Sequence, residues 1–381
     1  MPAKLSPEQP REQVTGRDIA RNKVITLEKT HPKQLTLWQT YLPGDHEADD
    51  YSNTVELYDA VPKYFASKQR MAQLRKEGQF LTSLKRSFKH KGVTYQVTIR
   101  PARIEEKNGT EKEYYPSWRE ELVEEALKKI ACDELNGVYL NNIAGVQFSL
   151  YELRKELRSR GHDIHFDDLL KSLRICREAS IVISCDEKED FEINSPIFPV
   201  LVIRNRREWE SNPKHTRCYV QFNPLITHSI NKIAYRQFDY VKSMAFNRQL
   251  ARWFHKRLSH NYVQASLTGP AYGIKMSTVI RDSALVNASR VRDNMRYIDK
   301  SLDELVEREV IYKYEKKISE GTRGKIEEVL YTLHPTMQFI TQVKKANKRK
   351  KYLVDSAHQS GILSEEAMRA MMYNHPASGI K

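Results

Sequence analysis

Apolar and polar residues alternate along VTYQVTIR, with Val93, Tyr95, Val97 and Ile99 on one side and Thr94, Gln96, Thr98 and Arg100 on the other. A period of two puts successive side chains on opposite faces, so this segment predicts a half-buried strand that Pro101 interrupts. A polar turn around Asn108-Gly109 follows, and the period then lengthens. In SWREELVEEALKKIACDE, Ser117 stands three residues before Glu120, the spacing at which side chains satisfy the unpaired N–H groups of a helix start. QFSLYELRKELRSRG repeats the device with Ser149 and Glu152, and Gly161 can close that helix in left-handed conformation. DDLLKSLRICREA predicts a third helix. Strand-like SIVISC, a charged turn, FPVLVIRN, a polar loop and RCYVQF come after it.

The same order returns downstream. YRQFDYVKSMAFNRQLARWFHKRLSH spaces Phe238, Val241, Phe246, Leu250, Trp253 and Phe254 as one amphipathic helix. GIKMSTVIRDSA predicts a brief strand and a short helix, NASRVRDNMRYIDKSLDELVERE a longer helix, and VIYKYEKKISEGTRGKIEEVLYTLHP a hairpin whose loop holds Gly321 and Gly324. Helices followed by a β-hairpin, with a short strand between the first two, is the order of a winged helix-turn-helix. The expected class is therefore α+β, with two tandem winged helix-turn-helix domains, a disordered N-terminal arm and a basic C-terminal tail. The expected boundaries are 1–50 for the arm, 51–225 and 226–340 for the domains, and 341–381 for the tail. The arm is rich in Pro, Gln and charge and has no sustained apolar period. In the tail, Lys344, Lys345, Lys348, Arg349, Lys350 and Lys351 follow closely; a flexible solvated face is the first reading and a supplementary phosphate contact the second.

Composition narrows the partner. Lys and Arg total 63 against 49 Asp and Glu in 381 residues, a net charge of +14. Such a surface attracts polyanions, nucleic acid foremost. No stretch approaches the roughly 20 apolar residues of a membrane span, and MPAKLSPEQPREQ lacks the apolar region of a secretory signal, so a cytoplasmic location and no membrane partner are expected. Cys132, Cys176, Cys185 and Cys218 show neither C-x-x-C pairing nor zinc-finger spacing to His. Reduced thiols, no metal and no cofactor are the expectation.

On a wheel of about 100° per residue, the helix from about Ser289 to Glu309 gathers Val291, Met295, Ile298, Leu302, Leu305 and Val306 into one core-facing stripe. Opposite lie Ser289, Arg292, Asp293, Arg296 and Lys300, with Arg290 and Tyr297 on the flank. Basic residues crowd the N-terminal half, and LDELVERE makes the C-terminal half acidic. In helix-turn-helix docking the N-terminal part of the second helix approaches base edges in the major groove, where Arg grips guanine O6 and N7. Lys313, Lys316, Lys317, Arg323 and Lys325 on the hairpin add phosphate contacts. An ordinary surface helix is the competing reading. In the first domain DDLLKSLRICRE opens with Asp167 and Asp168, which repel phosphate, while Lys171, Arg174 and Arg177 face the backbone and Arg204, Arg206 and Arg207 add charge further on; a structural or dimerising role competes there.

Over roughly Lys33 to Lys316, in colinear order, the chain resembles the plasmid replication initiators of the TrfA type, within the wider group of two-winged-helix Rep proteins. VTYQVTIRPARI, REELVEEALKKIA, VQFSLYELRKEL, TRCYVQFNPLI and SRVRDNMRYIDKSLDELVEREVI carry the likeness. Family members have a Gln-Leu-Ser-Leu-Phe pentapeptide ahead of the first domain, similar to the ligand of the bacterial replicative sliding clamp. Here Gln34, Leu35, Thr36, Leu37 and Trp38 stand in its place, with Trp for Phe and Thr for Ser. As a linear motif, Gln34 offers an amide to a polar subsite while Leu37 and Trp38 fill an apolar cleft; packing of the trio onto the first domain is the alternative. The resemblance implies binding of iteron repeats in double-stranded origin DNA and opening of a neighbouring AT-rich segment. It also implies recruitment of host helicase, initiator and clamp, and a homodimer through the first domain.

No enzymatic activity is expected. A rolling-circle nicking initiator needs His-x-His on one strand, so that both rings face one side. His162 and His165 in GHDIHFDD are three apart, and no G-x-x-x-x-G-K-[ST] loop occurs. A transcriptional regulator of two-winged-helix form is the non-enzymatic alternative.

Overall fold

The computed structural model describes residues 50–77, 82–132, 136–140, 142–185, 191–204, 217–262, 270–359 and 361. The pentapeptide Gln34–Trp38, the rest of the arm up to residue 49, Arg206, Arg207 and residues 362–381 lie outside them. The class is α+β with open antiparallel sheets.

The first half opens with β1 (Tyr51–Val55), α1 (Glu56–Ala60) and α2 (Lys68–Lys76). The strands β2 (Leu84–His90) and β3 (Val93–Arg100) form a hairpin whose two-residue turn holds Lys91 and Gly92 at φ 49° and 81°. Positive φ at both turn positions matches the strands' right-handed twist, and Gly92 takes it without Cβ strain. As expected, β3 ends before Pro101 with Val97 and Ile99 buried. A second hairpin, β4 (Ala102–Glu105) and β5 (Glu111–Tyr114), leads to α3 (Trp118–Cys132). The Glu120 carboxylate accepts the Ser117 N–H at 2.9 Å and its hydroxyl at 2.7 Å. Next come β6 (Gly137–Leu140), β7 (Ile143–Phe148) and α4 (Leu150–Ser159), which Ser149 and Glu152 cap reciprocally. Gly161 follows at φ 87°. The segment continues through α5 (Phe166–Glu178), β8 (Ser180–Cys185), β9 (Phe191–Pro196), β10 (Leu201–Val202), β11 (Cys218–Gln221) and α6 (Pro224–Asn231).

SIVISC does not open the expected wing. As β8 it pairs with β3 and β9, completing a sheet ordered β2-β3-β8-β9. β10 and β11 pair in a second sheet, ordered β10-β11-β7-β6. One face of β8 carries the buried Ile181, Ile183 and Cys185, and on the other Val182 is buried between two serines, so the strand suits the interior of a four-stranded sheet.

The expected long helix from Tyr235 is three elements: β12 (Tyr235–Asp239), α7 (Tyr240–Met244) and α8 (Gln249–Asn261). β12 pairs with β1, and the Asp239 carboxylate accepts the Lys242 N–H at 2.8 Å, so the chain breaks at an acid suited to start a helix. Then follow β13 (Tyr272–Lys275), α9 (Met276–Ser283), α10 (Val291–Glu307), β14 (Ile311–Glu320), β15 (Ile326–Pro335) and α11 (Met337–Gln359). Their sheet runs β13-β15-β14. In both halves a strand, two helices and a later pair of strands recur, the last strand pairing between the other two; in the first half β8 and β9 are inserted before that pair.

Two large apolar cores result. One draws on residues from Val55 to Met244, the other on residues from Phe246 to Val343. The first therefore extends past residue 225, because α6, β12 and α7 pack into it. The basic run expected in a tail lies on α11, which sends Phe339, Ile340 and Val343 into the second core and Leu353, Val354 and Ala357 into the first.

His255 of α8 sits at the seam, 6.1 Å from the ring of Phe238 and 5.6 Å from that of Phe246. It is fully buried, and neither ring nitrogen has a hydrogen-bond partner among the described residues. Burial drives its pKa down to about 3, with Lys242 and Lys256 adding to the effect. An imidazole kept neutral when folded contributes stability above its unfolded pKa of about 6.5, and that contribution is lost as pH falls toward the folded value. Between pH 7.5 and pH 5 this one group is expected to remove about 2 kcal/mol of stability. Urea denaturation at the two pH values, on wild type and His255→Leu, checks this: an equal acid loss in the variant would assign the effect elsewhere.

Candidate nucleic-acid interface

α10 is amphipathic over 17 residues, with Ile298, Leu302 and Leu305 fully buried against the second core. Two polar anchors fix its place. Asn294, on the buried side, accepts the Ala288 N–H at 2.8 Å and donates to the Ala288 carbonyl at 3.0 Å, which closes the preceding loop onto the first turn. Glu304 accepts the N–H groups of Asn247 and Arg248 at 2.7 and 3.0 Å and so caps α8 from across the core. Neither residue was singled out in the sequence; a polar residue on a core-facing stripe was the available signal.

The remaining acids of α10 have distinct uses. Asp299 lies 2.9 Å from the Lys316 ammonium, and Asp303 accepts the Tyr314 hydroxyl at 2.9 Å. Both contacts tie the β14–β15 hairpin to the helix. Lys316 is therefore a strut between hairpin and helix. Lys313 pairs with Glu315 at 2.7 Å, while Lys317 and Lys325 are exposed without a partner among the described residues. The Arg323 side chain lies outside the described set.

Apart from Asp293 and, in the last turn, the exposed Glu307, what remains on the outer face of α10 is positive. Ser289, Arg290, Arg292, Arg296 and Lys300 are exposed. The side chains of Arg290, Arg292 and Lys300 have no hydrogen bond or ion pair with any described residue, and that of Arg296 shares only a loose pair with Asp293 at 3.3 Å. No side chain caps the first turn, so its unpaired N–H groups add to the positive field. Tyr297, expected on the flank, is half-buried among the residues packed on the second core, and burial raises its phenol pKa. The arrangement suits bidentate guanidinium donation to an acceptor-rich edge.

The corresponding helix of the first half, α5, is arranged differently. The β4–β5 hairpin lies across it: Ala102 and Ile104 pack on Ile175 and Ala179 in a small separate core. Asp167 pairs with Lys107 at 2.7 Å and Asp168 with Arg119 at 2.6 Å. Lys171 is held by Glu106 at 2.5 Å and the Tyr114 hydroxyl at 3.0 Å. It is thus a cation paired within the first half. Arg174 is exposed and Arg177 half-buried. His162 hydrogen-bonds the Met244 carbonyl at 2.8 Å, and His165 is the exposed residue before α5. No helix among the described residues is long and apolar enough to cross a membrane.

No family model and no curated protein matches the chain. Among solved structures it is similar to domains 2 and 3 of RctB, at 9% identity and a TM-score of 0.42 over 72% of this chain and 95% of that one. A second crystal structure of RctB domains 2–3 gives 10% identity and 0.40 over 69% and 95%. The Pi initiator protein in complex with iteron DNA gives 11% and 0.38 over 63% and 98%.

Proposed function

We propose that this chain is a non-enzymatic replication initiator that recognises repeated duplex sites at an origin. Each half is read as a winged helix-turn-helix, with α10 as the base-reading helix and β14–β15 as its wing. The observation that carries the reading is the charge sorting on α10. Its acids at 299, 303 and 304 are tied back onto the protein, while Arg290, Arg292 and Lys300 stand outward with no partner. Unpaired guanidinium groups on the first turns of a rigidly held helix are what major-groove reading requires. The covered α5 gives the first half a scaffolding part, with a homodimer surface as its further role.

Selection of bound duplexes from a random-sequence pool tests the reading. The full chain is expected to enrich one consensus that also occurs as direct repeats beside its coding region, next to an AT-rich tract. Enrichment of no sequence would overturn it, and a consensus only at promoters, with no autonomous replication of the adjoining DNA, would favour a transcriptional regulator. Recruitment of the host helicase and initiator, origin opening and clamp binding complete the proposal. For the clamp, a peptide spanning residues 31–41 is expected to bind purified sliding clamp and to lose binding when Leu37 and Trp38 are both replaced by Ala, since apolar burial supplies most of such a motif's affinity. Equal binding by the doubly substituted peptide would remove the clamp from the proposal.

A further inference from the structure

Between Met337 and Tyr352, α11 carries six cationic residues and no carboxylate. Two of the six turn inward. Arg349 is buried and donates to the Asn53 side chain at 3.2 Å, and Lys350 lies 2.7 Å from Glu56. On the side of the helix away from Val343, Ala346, Leu353 and Ala357, Lys344, Lys348 and Lys351 fall at i, i+4 and i+7 beside the half-exposed Tyr352. None of these three lysines has a partner among the described residues. Like charges at this spacing destabilise a helix, and the nearest acid along the stripe is Asp355, one turn beyond Lys351. The helix is ordered nonetheless, because both its ends are packed into cores.

A self-repelling stripe held on a fixed helix is relieved by an external polyanion. The three ammonium groups span about 10 Å at 1.5 Å per residue, a length over which duplex DNA presents several phosphates. Single-strand sites instead use a series of stacking aromatics, and Tyr352 stands alone here. We propose that this face of α11 is a second, sequence-independent contact to the phosphate backbone of duplex DNA. It rests on the reading that α10 engages duplex, and adds a surface outside the helix-turn-helix.

The test measures affinity of the full chain for a random-sequence duplex of about 30 base pairs over about 50–300 mM salt. The variant K344A/K348A/K351A is expected to flatten the slope of log K against log salt by about 2–3, at about 0.9 per phosphate released, and to weaken binding at least about tenfold. Its unfolding midpoint should be no lower than wild type, because alanine removes the repulsion and favours helix. K344R/K348R/K351R should keep the wild-type slope. Arg292→Ala, measured alongside on a selected site, reports on α10 separately. An unchanged slope in the alanine variant while Arg292→Ala abolishes site preference would overturn the α11 contact alone. No site preference even in wild type would overturn the α10 reading as well. Losses confined to single strands, or seen only on anionic vesicles, would also overturn the α11 contact.

Discussion

Replacing Lys128 by Ala is expected to destabilise the chain by about 3–5 kcal/mol, the usual cost of leaving buried carboxylates without their cation. Lys128 is fully buried on α3, between Asp59 at 2.9 Å and Glu125 at 2.6 Å. Glu125 also lies 2.7 Å from Lys256 of α8, so the same carboxylate joins the two halves. Asp59 further accepts the Val55 N–H at 2.6 Å and the Thr54 hydroxyl at 2.9 Å. Burial alone would raise the Asp59 carboxyl pKa; Lys128, Lys256 and Lys63, with the Val55 N–H, hold it well below the usual range instead. Burial would likewise lower the Lys128 ammonium, and Asp59 and Glu125 raise it. A depressed carboxyl contributes stability above its unfolded pKa of about 3.9 and loses it as pH falls further; a raised ammonium contributes below about 10.4 and loses it as pH rises. Between those limits the knot is fully charged. Urea denaturation near pH 7 should therefore show the whole loss, and a change below about 1 kcal/mol would mean that water reaches these groups in place of the lysine.

The same knot marks where sequence reading ended. REELVEEALKKIA was legible as a helix because its cap is local, but nothing in the segment itself says where its charges go. In the fold every residue from Glu120 to Cys132 is buried. Glu124 receives the hydroxyls of Tyr58 and Tyr64 at 2.5 and 2.6 Å, and Arg252 reaches Glu121 at 3.3 Å. Each partner is tens of residues away in sequence, and no local pattern encodes such pairs. Local signals succeeded elsewhere for the converse reason: the Ser149–Glu152 cap, the end of β3 before Pro101 and the β14–β15 hairpin are all fixed by neighbours in the chain. On α10 the wheel gave the basic outer stripe correctly, since exposure follows from helical period. It could not show that Asp299 and Asp303 would take Lys316 and Tyr314 from the hairpin, nor that β4–β5 would cover α5.

Arg292→Ala and Arg296→Ala are each expected to weaken binding to the selected duplex by about 1–3 kcal/mol, roughly 5- to 150-fold, while changing affinity for random duplex far less. The two should differ. Arg292 has no partner to leave, whereas Arg296 must give up the Asp293 carboxylate 3.3 Å away, a pair 69% and 45% exposed and therefore weak. Asp293→Asn should consequently leave affinity at the Arg296 position nearly intact, but relax discrimination if the carboxylate also accepts from a cytosine amino group. Lys316→Ala provides the contrast. Its ammonium braces the hairpin against Asp299, so losing it is expected to lower affinity for selected and random duplex together through a misplaced wing. Filter binding or fluorescence anisotropy on both duplexes at one fixed salt concentration separates the cases. Equal losses on selected and random duplex from Arg292→Ala and Arg296→Ala would show that α10 holds the backbone and that bases are read by another part of the chain.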